Sequence, residues 1–366
     1  MIWAIQVVRR LLRFAWLAMV LWMGCAAPTV MSPIDRQDPQ RFDACADAEG
    51  RAAYEQALGK LQAGDDAAAV PLLQTVVARC PEHVQAMAYY QDAAMHVGGG
   101  IEAQMRAWYA ALADSDESPL PAFAKARLLS SNFARKGAVD DLLRKHPDFA
   151  WAWLAQGRLN RGVGRLLDAA ESFQRAIARH PKLLAAHVEL AECLTELGRT
   201  AEAQGAYENY LRAAPNDRAT ARAYVQLALY RLDQPEAARP WIERLLAEDP
   251  LDESVCMDMA ACEWRAGRLD EALRGYLDVL QRRPDSARAA LNIGYLHFDA
   301  FPRDDEQKRR HWPKARAAFQ LFQQVVRPVD GYDYFERTLA VPFRLKQIEA
   351  LLGPTPETVP GIEALR

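Results

Sequence analysis

The sequence predicts an all-helical chain built from repeated antiparallel helix pairs. Three observations carry that expectation. Prolines recur at Pro147, Pro181, Pro215, Pro250 and Pro284, separated by 34, 34, 35 and 34 residues. Twelve residues before four of them stands an alanine (Ala169, Ala203, Ala238, Ala272), followed four residues on by Phe173, Tyr207, Ile242 or Tyr276. Between these marks alanine and arginine are plentiful and glycine is scarce. No stretch of Val and Ile alternates with polar residues as a half-buried strand would.

Each element of a pair follows from this punctuation. Proline cannot donate to the preceding turn, so it closes the second helix. Gly157, Ala191, Ala260 and Gly294 would let the first helix approach its partner closely, and Ala169 and its equivalents do the same from the second. Trp153, Phe173, Tyr207 and Tyr276 are expected to fill the space between neighbouring pairs. Gly164-Arg165, Gly198-Arg199 and Gly267-Arg268 mark the turn inside each hairpin. His146 and His180, each just before a repeat proline, read as one helix-end position used twice. Upstream, Pro81 closes a similar unit with Ala69 and Leu73. Residues 84–115, with a turn at Gly98-Gly99-Gly100, and residues 118–147 are weaker copies. The last copy begins at Ala290, Ile293 and Gly294 and resumes at Ala315 and Phe319. Its charged insert, residues 301–312, is expected to bulge as a surface loop. No pair can bury its apolar stripe alone, so stacking has to make the core.

The period and its punctuation are similar to the tetratricopeptide repeat. The best copy runs Trp153-x2-Gln156-Gly157-x2-Asn160, then Ala169-x3-Phe173, then Pro181, with Gln156 and Asn160 where the family has Leu and Tyr. The resemblance covers residues 47–328. It implies a right-handed α-solenoid of about eight antiparallel helix pairs. Tyr332 to Leu352 reads as an amphipathic closing helix within a 329–352 capping segment, and 353–366 reads as a loose tail.

The amino terminus has a different character. Arg9, Arg10 and Arg13 precede an uncharged run from Phe14 to Ala27, the pattern of a secretory signal. Gly24-Cys25-Ala26-Ala27 then resembles a bacterial lipoprotein signal, although Trp22 stands where that family prefers Leu. The resemblance implies a signal segment over 1–24 and lipidation at Cys25. Cleavage near Ala26 or Ala27, or an uncleaved anchor continuing to Ile34, are the alternatives. All three put the remaining chain outside the cytoplasm, because the basic residues come first. Ala26 carries no acidic retention signal, so the family resemblance implies the periplasmic face of the outer membrane. Residues 25–46, proline-bearing and without apolar period, read as a flexible tether.

Charge and motifs bound the function. The 45 basic and 48 acidic side chains nearly balance, at a formal −3, so no dense basic face for nucleic acid is expected. No HExxH, CxxC, GxSxG or phosphate loop is present, and the seven histidines form no catalytic pattern. A non-enzymatic protein is expected, with no cofactor, no metal and no small-molecule substrate. Six cysteines are present. Cys45 and Cys80 flank the first hairpin, whose antiparallel course would bring them together. A Cys45–Cys80 bond in an oxidising compartment and two unpaired thiols are both open. Cys193, Cys256 and Cys262 read as small buried residues.

In tetratricopeptide proteins the first helices line a concave groove that takes peptides or a partner's helix. Carried onto this sequence, one face of those helices holds Trp151, Arg158 and Arg161, then Glu196, Tyr230 and Arg231, then Trp264, Arg265, Tyr295 and Phe298. Aromatic residues and arginine are the types enriched where binding energy concentrates. The expectation is a scaffold that binds other envelope proteins and helps hold a multiprotein complex, itself attached to the membrane by an N-terminal lipid anchor. A regulatory or substrate-holding subunit of an envelope enzyme, or a tether to the cell wall, are the alternatives.

Overall fold

A computed structural model describes residues 47–115, 118–326, 339–354 and 365. The signal segment, the tether, Cys25 and Cys45 lie outside the described residues. So do 327–338, the start of the expected capping segment. Among the described residues every regular element is helical.

The chain divides into two compact units at Leu197/Gly198. In the first unit α1 (Ala48–Gln62) pairs with α2 (Asp66–Arg79), and α3 (Val84–Val97) with α4 (Gly99–Ser115). Next come α5 (Pro119–Arg127) with α6 (Asn132–Lys145), then α7 (Ala150–Gly162) with α8 (Leu166–Arg179), and α9 (Leu184–Glu196). The second unit opens with α10 (Thr200–Ala213). It continues with α11 (Arg218–Tyr230) against α12 (Pro235–Glu248), and α13 (Glu253–Arg265) against α14 (Leu269–Arg282). The last pair is α15 (Ala287–Tyr295) against α16 (Asp305–Val325), with α17 (Val341–Leu352) packed on α16. Within each unit consecutive helices pack in sequence order, including the two weaker copies, α3–α4 and α5–α6.

The repeat signature is visible as physical contacts. A Cβ at Gly157 would lie 2.5 Å from Phe173 Cδ1, and one at Gly294 would lie 2.5 Å from Phe319 Cδ1. Only a bare backbone lets these rings sit flat against the first helix. Ala260 faces Gly275 in the same way, 2.9 Å from a Cβ placed there. Phe173, Phe319 and Tyr276 are fully buried as expected. Trp153 differs. It is half-buried, with the Arg175 and Arg179 guanidinium carbons 4.7 and 5.3 Å from the ring centroid, and its indole N–H donates to Pro147 O at 2.8 Å. The prolines stand one residue beyond helix ends capped by His146, His180, Ala214, Asp249 and Arg283.

Turn chemistry is equally regular. Gly164 and Gly267 take φ of 78° and 79°, a left-handed conformation that glycine adopts without steric cost. Asp233, at the α11–α12 turn, is the non-glycine residue in that region among those described, at φ 55°. Three sequence expectations change. Residues from 305 onward are not loop but the first turns of α16. Asp304 caps it, its side chain accepting from Gln307 N–H at 2.8 Å, and Asp305 and Glu306 favour its N-terminus. Leu365, in the stretch expected to hang loose, is 1% exposed and belongs to the second unit's apolar core. Cys256 is half-buried rather than buried, while Cys193 and Cys262 are buried, and all three are free thiols. Cys80 is disulfide-bonded. Cys45, the partner that the sequence left open for it, lies outside the described residues.

Candidate functional site

The expected groove residues fall into three environments. In the first unit, Trp151 packs against the apolar core at half burial. Arg158 and Arg161, on α7, are tied to α9. Arg158 Nε donates to Glu189 at 2.7 Å, and Arg161 donates to Glu192 at 2.6 Å and Glu196 at 2.5 Å. These two guanidiniums bind neighbouring repeats together, so they are not open cations for a ligand. Glu196 is consumed in the same network.

At the end of the second unit, Tyr295 and Phe298 are covered from within the chain. The Arg344 guanidinium of α17 lies 4.6 Å from the Tyr295 ring centroid and 5.6 Å from that of Phe298. Phe298 also stacks on Trp312 at 4.9 Å with 9° between planes. The rings the sequence assigned to a partner are occupied by α16 and α17.

Between these ends, α11, α13 and α15 surround an open cleft of about 470 Å³. Tyr230 closes α11, Asp233 follows in its turn, and Trp264 and Arg265 come from the last turn of α13. Arg288 and Asn292 come from α15, and Tyr276 of α14 forms the floor. Three of the expected residues (Tyr230, Trp264, Arg265) therefore meet here. Arg231, at the α11 C-cap, is exposed and does not line the cleft.

A buried carboxylate organises one wall. Asp258 is 4% exposed. It accepts from the Tyr230 hydroxyl at 2.8 Å, from Gln226 Nε2 at 2.9 Å and from Arg288 Nη2 at 3.4 Å. Arg288 also donates to the Tyr230 hydroxyl oxygen at 2.9 Å. Burial pushes the Asp258 carboxyl above the ordinary aspartate range, and the Tyr230, Arg288 and Gln226 donors oppose it. Burial first, then the Asp258 charge, holds the Tyr230 hydroxyl high, so it remains a donor. On the other wall Arg265 Nη1 donates to Asp233 at 2.6 Å, and its guanidinium sits 5.4 Å from the Tyr230 ring centroid. Tyr276 is 0% exposed, and its hydroxyl makes no hydrogen bond of normal geometry, with Asn292 as its polar neighbour. The cleft thus presents the Arg265 and Arg288 guanidiniums, the Asn292 amide and the Trp264 ring above the buried Tyr276. Among the described residues no group of three or more His, Cys, Asp or Glu is arranged to hold a metal.

Asp258, Asn292 and Asp233 escape a reading based on aromatic and arginine enrichment, while Arg288 and Tyr276 are of the enriched types but lie outside the face that was read. A signal for Asp258 and Asn292 exists in the repeat register. The residues eight past each repeat proline are Ala155, Glu189, Ala223, Asp258 and Asn292. At two of its three polar occurrences, Glu189 and Asp258, this position turns to the first helix of an adjacent repeat, while Asn292 neighbours Tyr276 on α14. Glu189 does so to hold Arg158, and Asp258 to hold Tyr230 and Arg288.

Tetratricopeptide family models match residues 136–182 and 160–227. No curated protein matches the chain. Among solved structures it is similar to YrrB, described as a TPR protein with an unusual peptide-binding site, at 18% identity and a TM-score of 0.44 over 58% of this chain and 99% of that one. It is also similar to MamA from Desulfovibrio magneticus RS-1, at 15% identity and a TM-score of 0.41 over 50% and 98%. A third is TTC0263, a thermophilic TPR protein from Thermus thermophilus, at 17% and 0.38 over 49% and 99%. Past the matched pairs, Gly267 repeats the turn of Gly164 and Gly294 lies beneath Phe319 as Gly157 lies beneath Phe173, so the stretch that the models match carries tetratricopeptide repeats and later pairs share their features.

Proposed function

We propose that this protein is a non-enzymatic scaffold of the bacterial cell envelope. It holds partner polypeptides in the α11–α13–α15 cleft and so helps assemble a multiprotein complex. The observation that carries this reading is the cleft itself. Its Arg265 and Arg288 guanidiniums and Asn292 amide line the same cleft as the Trp264 ring. That set suits an acidic side chain flanked by an apolar one. The carboxylate would take donors from arginine and amide, and the apolar neighbour would lie on the indole.

The location rests on the basic-then-apolar amino terminus and on Gly24-Cys25, with Cys25 as the lipidated residue and the outer membrane as the site. The disulfide at Cys80 supports an oxidising compartment. Cys25→Ser should abolish incorporation of labelled fatty acid, and continued incorporation would remove the anchor.

The cleft is tested by affinity capture of the full chain from membranes, comparing the unaltered protein with Trp264→Ala combined with Arg288→Glu. Loss of a stoichiometric partner set with helical content retained supports the site. Unchanged capture refutes it, and recovery of wall fragments alone favours a tether.

A further inference from the structure

The hairpin-turn edge of the first unit carries apolar side chains where the second unit carries charge. Phe133 and Leu167 hold the second helical position of α6 and α8, one repeat apart. They are 89% and 67% exposed. Glu236 of α12 and Asp270 of α14 hold the equivalent position in the second unit. A carboxylate there is what the helix macrodipole favours, so Phe133 and Leu167 forgo that stabilisation and stay in water. Val163, four residues before Leu167 across the same turn, is 65% exposed. Residues 128–134 around Phe133 carry no charge.

The charges on this edge are unspent. Arg165, Arg199 and Arg268 each stand just before the second helix of their repeat. Arg199 is held by Glu202 at 2.7 Å, and Arg268 by Glu236 at 3.0 Å. Arg165 and Asp168 stand 34 residues before Arg199 and Glu202. Both are exposed, and neither side chain makes a hydrogen bond or ion pair among the described residues.

We propose that this edge docks a second copy of the chain about a two-fold axis at the α7–α8 turn. The surface is self-complementary. At the axis Val163 and Leu167 meet their own counterparts. Beside them Arg165 faces Asp168 of the second copy, and Asp168 faces its Arg165, so one ion pair is made twice. The two-fold reverses the order of the repeats. It therefore brings Phe133, one turn before the axis, against Leu197, one turn after it. Leu197 is the half-buried C-cap of α9, 34 residues beyond Val163. Two opposite charges three residues apart, each open, are matched by the same two charges turned about an axis, which a partner of single charge cannot do. Few side chains take part, far short of the roughly 20–30 residues a side of a stable interface, so the dimer is weak, with Kd on the order of 100 µM. Nothing in this contact depends on what fills the cleft.

Sedimentation equilibrium of the full chain in density-matched detergent, at concentrations on either side of that Kd, tests it. The unaltered chain should approach the mass of two copies. Phe133→Ser, Arg165→Asp and Asp168→Arg should each weaken association by roughly tenfold or more. All three positions are exposed, so helical content should not change. Arg165→Asp and Asp168→Arg chains mixed in equal amounts should recover the dimer, because each then meets opposite charge at both contacts. A defect confined to one chain's folding cannot produce that recovery. In membranes, a photo-reactive residue at position 133 should crosslink to the peptide around Leu197 of a second copy, recognised by a different affinity tag. A monomer at every concentration, a mixture no more associated than either variant alone, or a crosslink from position 133 to other polypeptides only would each overturn the dimer.

Discussion

Arg158 and Arg161 in the first unit and Arg265 and Arg288 in the second carry the same chemistry on equivalent helices, yet they end in different roles. In the first, Glu189, Glu192 and Glu196 of the next repeat close on both guanidiniums. In the second, Asp258 takes Tyr230 and Arg288 from one side and Asp233 takes Arg265 from another, and a cleft stays open between them. The difference lies in the number and placement of carboxylates on the facing helix. Three glutamates one turn apart neutralise and cover a pair of arginines. One buried aspartate orients an arginine without covering it. The same residue type on a repeat's inner face is thus covered in one unit and lines an open cleft in the other, according to the carboxylates that the neighbouring repeat brings to it.

Variants can break or sharpen this contrast. The largest effect should come from what the units share. Phe173→Ala and Phe319→Ala each remove a ring that lies on a glycine, and each should cost about 3–5 kcal/mol in denaturant unfolding. A cost near zero at either would mean the repeats do not depend on that contact. Trp264→Ala should weaken partner binding by about 2 kcal/mol, roughly 30-fold, while Trp151→Ala should not change it. Equal losses in titration calorimetry would erase the distinction between the units.

Asp258→Asn should cost about 1–3 kcal/mol, because Arg288 and the Tyr230 hydroxyl lose a buried charged acceptor, and it should loosen the cleft. Arg161→Gln should cost only about 1 kcal/mol, since its glutamates are partly exposed, and should leave partner affinity unaltered. Lost affinity there would return Arg161 to the binding surface. Smallest of all, Asp233→Gly relieves a left-handed residue while releasing Arg265, two opposing changes of about 1 kcal/mol or less. Thermal unfolding should barely move, while binding should respond to the freed guanidinium.

Much of the fold was legible because close packing leaves a one-dimensional trace. Gly157 and Gly294 had to be small because rings lie on them, and proline had to follow a helix end because it cannot donate to one. The 301–312 insert misled because charge density reads as loop, whereas Asp304, Asp305 and Glu306 are the residues a helix start prefers. Of the candidate site, Tyr230, Trp264 and Arg265 were visible as hot-spot residue types. Asp258 and Asn292 were not, because polarity at one repeat position carries meaning only beside the residue it meets one repeat away.

The sequence by itself determined the helix pairs, their turns and the spacing at which they recur, since these depend on neighbours three or four residues off and on a fixed repeat length. Only the tertiary structure decided which arginines are spent, which rings are covered by α17, and that Leu365 is drawn into the core against His297. Those outcomes turn on encounters between residues some thirty to seventy positions apart, where a carboxylate or a carbonyl a few ångströms away changes a side chain's role without changing its identity.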